Sequence, residues 1–343
     1  MGIENICGWN KVCIIAEMSA NHCQDLETAK AIVVAAKESG ADAVKIQTFR
    51  GSTVTLDVMR EEFKIKTAKL WEGQYLYELY ENAYLPWEWH KELFSLADEI
   101  GIEIFTTVTD KSSVDFVEKL HPSVYKIASF EITDIPLIRY TAAKGRPMIL
   151  STGIATLADI EDAINACYDV GNKNIILLKC ASQYPAPLEE INLRSMDSLK
   201  RIFGVTVGFS DHTEGFLAPV VAVSLGAKVI EKHFILNKED NSYDKEFSLT
   251  PNEFSEMVSK VREAEAILGE SRYYLTAGNR KSKEFQRSIY VSEDIKAGEE
   301  LSVANIKSIR PGYGLAPKYM DKIIGRKALR DLKKGEPLNW NMF

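Results

Sequence analysis

Eight short apolar or β-branched runs, separated by stretches of helical periodicity, recur through about the first 270 residues, and no other feature restricts the fold as tightly. They are Val12–Ala16, Ala43–Ile46, Ile102–Thr106, Val124–Ile127, Met148–Leu150, Ile175–Leu178, Val205–Phe209 and Val229–Ile230. Between the first two, Leu26–Ser39 spaces its apolar residues as a helix does and stops at Gly40, a residue suited to a helix C-terminus. An open doubly wound sheet also alternates strand and helix. Eight units in about 270 residues, however, is the count and size of a closed (β/α)8 TIM barrel.

One connection is too long for a barrel of this kind. Almost forty residues separate Gln47 from a helix expected near Pro86, and they include Lys69-Leu-Trp-Glu and Leu76-Tyr-Glu-Leu-Tyr80. Segments of that length are often functional, so this one reads as a lid over the strand ends, with most of its aromatic residues pinning it to the barrel. After a helix at Pro251–Leu268 the chain turns polar, and residues 270–284 read as a linker between a barrel at 1–269 and a small β-rich module at 285–343. That module holds an imperfect repeat, Asp294-Ile-Lys-Ala-Gly-Glu-Glu-Leu and Asp331-Leu-Lys-Lys-Gly-Glu-Pro-Leu, each with a glycine placed for a tight turn.

Charge divides at the same place. From Phe285 onward there are 11 Lys and Arg against 7 Asp and Glu, a net of +4, whereas the whole chain is at −7 and the first 284 residues are therefore at −11. An acidic chain of this kind is not expected to bind nucleic acid. No apolar run approaches the ~20 residues of a membrane span, and Met1–Asn10 lacks the pattern of a signal peptide, so a cytoplasmic protein is expected. The five cysteines, odd in number and without a C-x-x-C pair, read as reduced thiols.

In a barrel the chemistry sits where the strands end. Here the ends carry Glu17, Ser19, Asn21 and His22; Lys45 and Gln47; Thr106 and Thr107; Lys126, Ser129 and Glu131; Ser151 and Thr152; Lys179, Ser182 and Tyr184; Ser210, Asp211 and His212; Glu231 and His233. Lys45 and Lys126 are the sharpest of these, because an ammonium inside an apolar strand must be paired. Two such cations at one mouth suggest a ligand with more than one negative charge, such as a phosphate with a carboxylate. The alternative is that Glu17, Glu131 or Glu231 neutralises them. His212 and His233, one strand-helix-strand step apart, suggest a divalent metal with open positions for water and substrate. As single residues, each could instead be a satisfied polar group near the core.

The motifs Ile14-Ile-Ala-Glu-Met-Ser-Ala-Asn-His22, Gly40-Ala-Asp-Ala-Val-Lys-Ile-Gln47, Tyr125-Lys-Ile-Ala-Ser-Phe-Glu131, Leu150-Ser-Thr-Gly153, Gly208-Phe-Ser-Asp-His212 and Ile230-Glu-Lys-His233 resemble the sialic acid synthase, or NeuB, family over nearly the whole chain. The tail, with Arg287-Ser-Ile, Asp294-Ile-Lys-Ala-Gly-Glu299 and Ile309-Arg-Pro-Gly312, resembles the antifreeze-like or SAF domain that ends these enzymes. One departure stands out: Thr106-Thr107-Val108-Thr109 replaces the usual Ser/Thr-Pro-Phe after the third strand.

The resemblance implies condensation of phosphoenolpyruvate with an open-chain N-acylated amino sugar, with release of phosphate. It implies that Lys45, Lys126, Thr107, Ser129, Ser151 and Ser182 hold phosphoenolpyruvate, and that Gln47, Tyr184 and Asp244 face the sugar or the reacting centre. His212 and His233 would bind Mn2+, with Mg2+ or Co2+ as alternatives. Glu17 and Glu131 are candidates for moving protons, and Glu231 a further one, since strand alternation puts it on the face of His233. A domain-swapped homodimer is implied, in which Arg310 touches an acyl group of the sugar. Ser19-Ala-Asn-His22, Ala128-Ser-Phe-Glu131, Leu70-Trp, Leu76-Tyr-Glu-Leu-Tyr80 and Pro86-Trp-Glu-Trp-His90 point to a 2,4-diacetamido trideoxy hexose of the altrose series, with the legionaminic and neuraminic precursors next. Two rivals differ in class: a metal-dependent barrel hydrolase, which would call for more protein ligands, and a non-catalytic carbohydrate or ice-binding protein, suggested by the tail alone.

Overall fold

The computed structural model describes residues 11–66, 71–240 and 242–343. The chain divides after Gly269 into two compact units. In the first, eight parallel strands close in chain order: β1 (Cys13–Glu17), β2 (Ala43–Thr48), β3 (Glu103–Val108), β4 (Tyr125–Ile127), β5 (Met148–Ser151), β6 (Ile175–Cys180), β7 (Thr206–Asp211) and β8 (Val229–His233). Ladder pairing of β1 with β8, from Cys13 opposite Val229 to Glu17 opposite His233, completes the barrel. Each expected run is a strand, but all except β4 extend one to three residues past the expected end. Apolar patterning stops at the last hydrophobic residue. Backbone pairing does not, because the N–H and C=O groups of Glu17, Gln47 or His233 need partners whatever the side chain.

Side chains alternate along each strand, which fixes what the barrel encloses. Cys13, Ile15, Ala43, Phe105, Val124, Ile149, Ile176, Leu178 and Val229 form a buried apolar plug inside it. The next inward positions toward the strand C-termini are polar, and they are the site described below. Gly208 belongs to the inward set: a Cβ there would lie 2.4 Å from the Val229 carbonyl oxygen and 2.7 Å from Leu178 Cδ2, so the plug closes only around glycine. The outward set, including Ile14, Ala16, Val44 and Ile46, packs under helices such as Leu26–Glu38 and Pro251–Leu268. The first of these is capped by Asp25, which accepts from Thr28 N at 2.9 Å, and the second by a Thr250–Glu253 capping box.

The outward set has its own buried ion pair, Lys232 Nζ to Asp211 Oδ2 at 2.8 Å, so Asp211 points away from the mouth. Val108 continues β3 as a buried residue, and Asp110 caps the helix Lys111–Glu118 directly after it. The long connection after β2 is not a bare loop. It contains helices Gly51–Val54 and Leu76–Ala83 and a short turn Trp87–Trp89 before the helix His90–Ile100; Lys69 and Leu70 lie outside the described residues. Cys23, Cys167 and Cys180 are free thiols, but Cys13 is disulfide-bonded, contrary to the expectation of five reduced cysteines; the spacing rules weigh local pairs and take no account of this one. Among the described residues, no helix is long and apolar enough to cross a membrane.

In the second unit, β9 (Ser288–Val291) and β10 (Ile306–Ile309) pair antiparallel over a core of Ile289, Val291, Ile295, Leu301, Leu332 and Leu338. The two repeat copies bind each other reciprocally. Asp294 accepts from Lys334 N at 2.9 Å and pairs with Lys333, while Asp331 accepts from Ala297 N at 2.9 Å and pairs with Lys296. Ile295 and Leu332 exchange backbone hydrogen bonds between them. The stretch expected as a plain linker carries a helix, Ala277–Lys281, and a 3-10 turn, Ser282–Phe285, because Thr276 caps its start by accepting from Asn279 N at 3.1 Å.

Candidate active site

At the strand C-termini the inward residues line one cavity of about 400 Å³ within the first unit. Ser19, Lys45, Gln47, Thr107, Lys126, Ser129, Glu131, Ser151, Tyr184, His212, Glu231, His233 and Asp244 all face it, drawn together from every strand end and from the β8 connection, and Glu17 lies behind Lys45 without lining it. Ser182 touches its edge through Ser129, with the two hydroxyls 2.8 Å apart. Arg310 lies exposed in the second unit.

The two lysines do not face each other unpaired. Lys126 Nζ lies 2.7 Å from Glu231 Oε2, and Lys45 Nζ lies 2.5 Å from Glu17 Oε2 and 3.7 Å from Glu231 Oε1. Two buried cations thus meet two buried carboxylates, which corrects the inference that a ligand anion must separate them; Glu131 takes no part. The charges are unequally shared. Burial acts against ionisation of Glu231, but Lys126, Lys45 and a hydrogen bond from Ser210 at 2.9 Å outweigh it and hold that carboxyl below its ordinary range. Burial raises Glu17, which has Lys45 as its near cation and Glu231 as a repelling neighbour. Burial lowers Lys126, and Lys45 adds to that effect. Glu17 is therefore the member of the quartet that takes up a proton most readily.

Beside the quartet sits a cluster of hydroxyls. Thr107 Oγ1 accepts from Lys45 Nζ at 3.1 Å. Ser151 Oγ is buried with no hydrogen-bond partner among the described residues, although it lines the cavity. Gly153 makes room here: a Cβ at that position would lie 1.9 Å from Ser182 Oγ and 3.0 Å from Ser129 Cβ. An orphaned buried hydroxyl costs free energy unless something bonds it, so the cluster suits a small oxyanion.

Across the cavity, the rings of His212 and His233 stand 5.2 Å apart. His212 Nδ1 donates to the Ala181 carbonyl at 3.0 Å, which leaves its Nε2 outside that hydrogen bond. His233 Nδ1 is buried without a hydrogen-bond partner among the described residues, 3.8 Å from Asp244 Oδ2, and burial and His212 together keep this ring far below its ordinary pKa, hence neutral. Among the described residues no three His, Cys, Asp or Glu side chains are grouped to hold a metal, so the protein offers two imidazoles with a carboxylate nearby. Two imidazoles with oxygen neighbours are a donor set that fits a divalent first-row ion whose other positions are open, once His212, which against the effect of burial Cys180 favours in its protonated form, gives up its proton.

Asn21 secures the Asp244 side of the site. Its Nδ2 donates to the Phe234 carbonyl at 2.8 Å and to Ser248 Oγ at 2.9 Å, its Oδ1 accepts from Ser242 Oγ, and Ser248 Oγ donates to the Asp244 carbonyl at 2.7 Å. Glu131 stands apart, half-buried and without a cation partner among the described residues, and burial pushes its carboxyl up to about 7. Gln47 Nε2 donates to Glu17 Oε1 at 3.0 Å and Ser19 Oγ at 3.1 Å. Cys180, 3.7 Å from His212 Nδ1, lines the cavity but went unselected in the sequence, although it was detectable as the inward position two after Leu178. Phe49, whose ring packs on Tyr80 at 5.6 Å, also lines it and gave no such signal.

A closed barrel whose mouth joins a buried Lys–Glu quartet, a hydroxyl without a partner among the described residues and two adjacent imidazoles defines a (β/α)8-barrel enzyme acting on small polar molecules. The sequence model of the NeuB family matches residues 32–273 and that of the SAF domain residues 286–343, and the chain belongs to the NeuB family of synthases. It is 46% identical to the pseudaminic acid synthase of Campylobacter jejuni over all of both chains, and 46% identical to that of Helicobacter pylori over 95% of this chain and 96% of the other. Among solved structures, the spore coat polysaccharide biosynthesis protein spsE of Bacillus subtilis superposes with a TM-score of 0.64 at 35% identity, covering 97% of this chain and 95% of that one.

Proposed function

We propose that the protein condenses phosphoenolpyruvate with an open-chain 2,4-diacetamido-2,4,6-trideoxy hexose of the altrose series, giving pseudaminic acid and phosphate. The observation that carries this reading is the Lys45–Glu17 and Lys126–Glu231 quartet beside the unpartnered Ser151 hydroxyl, opposite His212 and His233 in one cavity. The identity of 46% to two pseudaminic acid synthases, against 38% to the N,N'-diacetyllegionaminic acid synthase of Legionella pneumophila, favours this sugar over its relatives.

In this mechanism Lys45 and Lys126 hold the phosphate and carboxylate of phosphoenolpyruvate, with Thr107, Ser129, Ser151 and Ser182 as short neutral donors. An incoming anion needs a positive surplus, and Glu17, raised by burial, supplies it by taking up a proton and leaving Lys45 to the ligand. His212 and His233 would hold a divalent ion, Mn2+ with Mg2+ or Co2+ as alternatives, which when bound supplies Lewis-acid polarisation of the sugar aldehyde. Gln47, Tyr184 and Asp244 orient the sugar. Carbon three of phosphoenolpyruvate attacks the aldehyde, Glu131 delivers a proton to the aldehyde oxygen, and water added at carbon two leads to expulsion of phosphate by C–O cleavage. Glu231 stays ionised to fix Lys126.

The proposal extends to a cytoplasmic, domain-swapped homodimer in which Arg310 meets the sugar's acyl group, supported by the tail's net of +4 against −11 for the rest. The test of the reaction is phosphate release with Mn2+, phosphoenolpyruvate and each of the altrose-series, legionaminic and neuraminic precursors, with the product identified by mass. Release that needs both substrates and is fastest with the altrose-series sugar is expected. Hydrolysis of a single substrate would point to the barrel hydrolase instead.

A further inference from the structure

The connection after β2 gives the cavity a second surface of opposite character. Phe49, Val54, Ile65, Leu76, Leu79 and Ala83 line it with no polar side-chain atom, joined by the rings of Trp71 and Tyr80. This wall is built rigidly. Gly51 N donates to Glu81 Oε1 at 2.7 Å, and a Cβ at Gly51 would lie 2.6 Å from that oxygen and 3.1 Å from Tyr77, so the helix Gly51–Val54 sits against Leu76–Ala83 only because the side chain is absent. Trp87 Nε1 donates to the Phe49 carbonyl at 3.0 Å, and the Phe49 and Tyr80 rings meet edge to face.

The wall adjoins the sugar side of the cavity and not the lysine floor. Trp71 packs on Tyr184 at 5.8 Å, and Tyr80 lies close enough to Glu131 for that carboxylate to raise its hydroxyl pKa, after burial. The Trp71 indole N–H, buried without a partner among the described residues, is a donor at the edge of this wall, but a hydroxyl pressed against Phe49, Val54, Ile65 and Leu79 meets side chains that cannot bond it. A hexose with a methyl group at carbon six and acylated nitrogens presents apolar groups instead.

We infer that the wall formed by Phe49, Val54, Ile65 and Leu79 is the specificity surface for the sugar, reading the absence of the 6-hydroxyl. This rests on the amino-sugar reading proposed above. The selection comes from unbonded hydroxyls and not from size, so an isosteric hydroxyl in the wall relaxes it.

The test uses the full chain with Mn2+ and two amino sugars that differ only at carbon six, one 6-deoxy and one 6-hydroxy. Calorimetry gives affinity, and phosphate release with phosphoenolpyruvate gives turnover. Preference for the 6-deoxy sugar on the order of 10²-fold is expected, the scale on which an apolar pocket rejects an added hydroxyl. Val54→Thr and Ile65→Thr, both at half-buried positions, are expected to bring the ratio below about tenfold, a smaller share of that same discrimination. Equal affinity for the two sugars, binding of neither, or a ratio unmoved in both variants would overturn the inference. Selective binding without phosphate release would leave the wall's role standing and sink the proposed reaction.

Discussion

Lys126 Nζ and Glu231 Oε2 meet at 2.7 Å across the barrel from β4 to β8, with side chains 1% and 5% exposed. Neither charge has water to fall back on. Breaking the pair from one side strands a buried charge, so Glu231→Gln is expected to destabilise the fold by about 3–5 kcal/mol. The double variant Lys126→Met with Glu231→Gln removes both charges and should recover much of that loss. Chemical denaturation of the two singles and the double measures the coupling; additive losses would show that the pair does not act as a unit.

Gly153 is expected to be intolerant of even one methyl group. Gly153→Ala places a carbon 1.9 Å from Ser182 Oγ, and the neighbouring Ser129 leaves that hydroxyl no room to turn aside. The Michaelis constant for phosphoenolpyruvate should rise by at least about tenfold, the scale of a lost 1.4 kcal/mol, with a smaller change for the sugar. Steady-state kinetics with each substrate varied checks the difference.

Glu131 predicts a pH limb. With its carboxyl at about 7 and the protonated form as the proposed acid, kcat/KM should fall as pH rises through about 7, and Glu131→Gln should abolish that limb along with most activity. Stability carries the same sign. A carboxyl raised on folding binds more protons in the native state, so its contribution is lost as pH climbs from the unfolded value of 4.5 through about 7. Relative to Glu131→Gln, the wild type should lose stability over that window, and a denaturation series by pH reads it.

Asn21 should act on the sugar through the loop it holds. Asn21→Ala leaves the Phe234 carbonyl without its partner, a loss of about 1–3 kcal/mol, and takes one hydrogen bond each from Ser242 and Ser248. Ser248→Ala is milder and cuts the link to Asp244 together with one of the two bonds donated by Asn21 Nδ2. Its expected signature is a raised Michaelis constant for the sugar with that for phosphoenolpyruvate unchanged. An equal rise in both would assign Asn21 and Ser248 to general stability alone.

The sequence alone determined the barrel, because strand and helix periodicities are local and eight apolar runs admit few closures. It also determined which residues meet inside. Alternation places Glu17, Lys45, Lys126, Ser151 and Glu231 two positions beyond inward apolar residues and His233 two beyond Glu231, so their convergence follows once the strands close. Tertiary structure alone decided how their charges are shared. Whether Lys126 finds Glu231 or Glu131, and whether Lys45 finds Glu17, turns on distances of an ångström or two between strands far apart in the chain, and the strength of a buried pair changes steeply over that range. The apolar wall was likewise invisible in order of residues, since Phe49 and Ile65 lie in connecting segments and Leu79 in a helix, up to thirty positions apart, and they share a surface only in the folded chain.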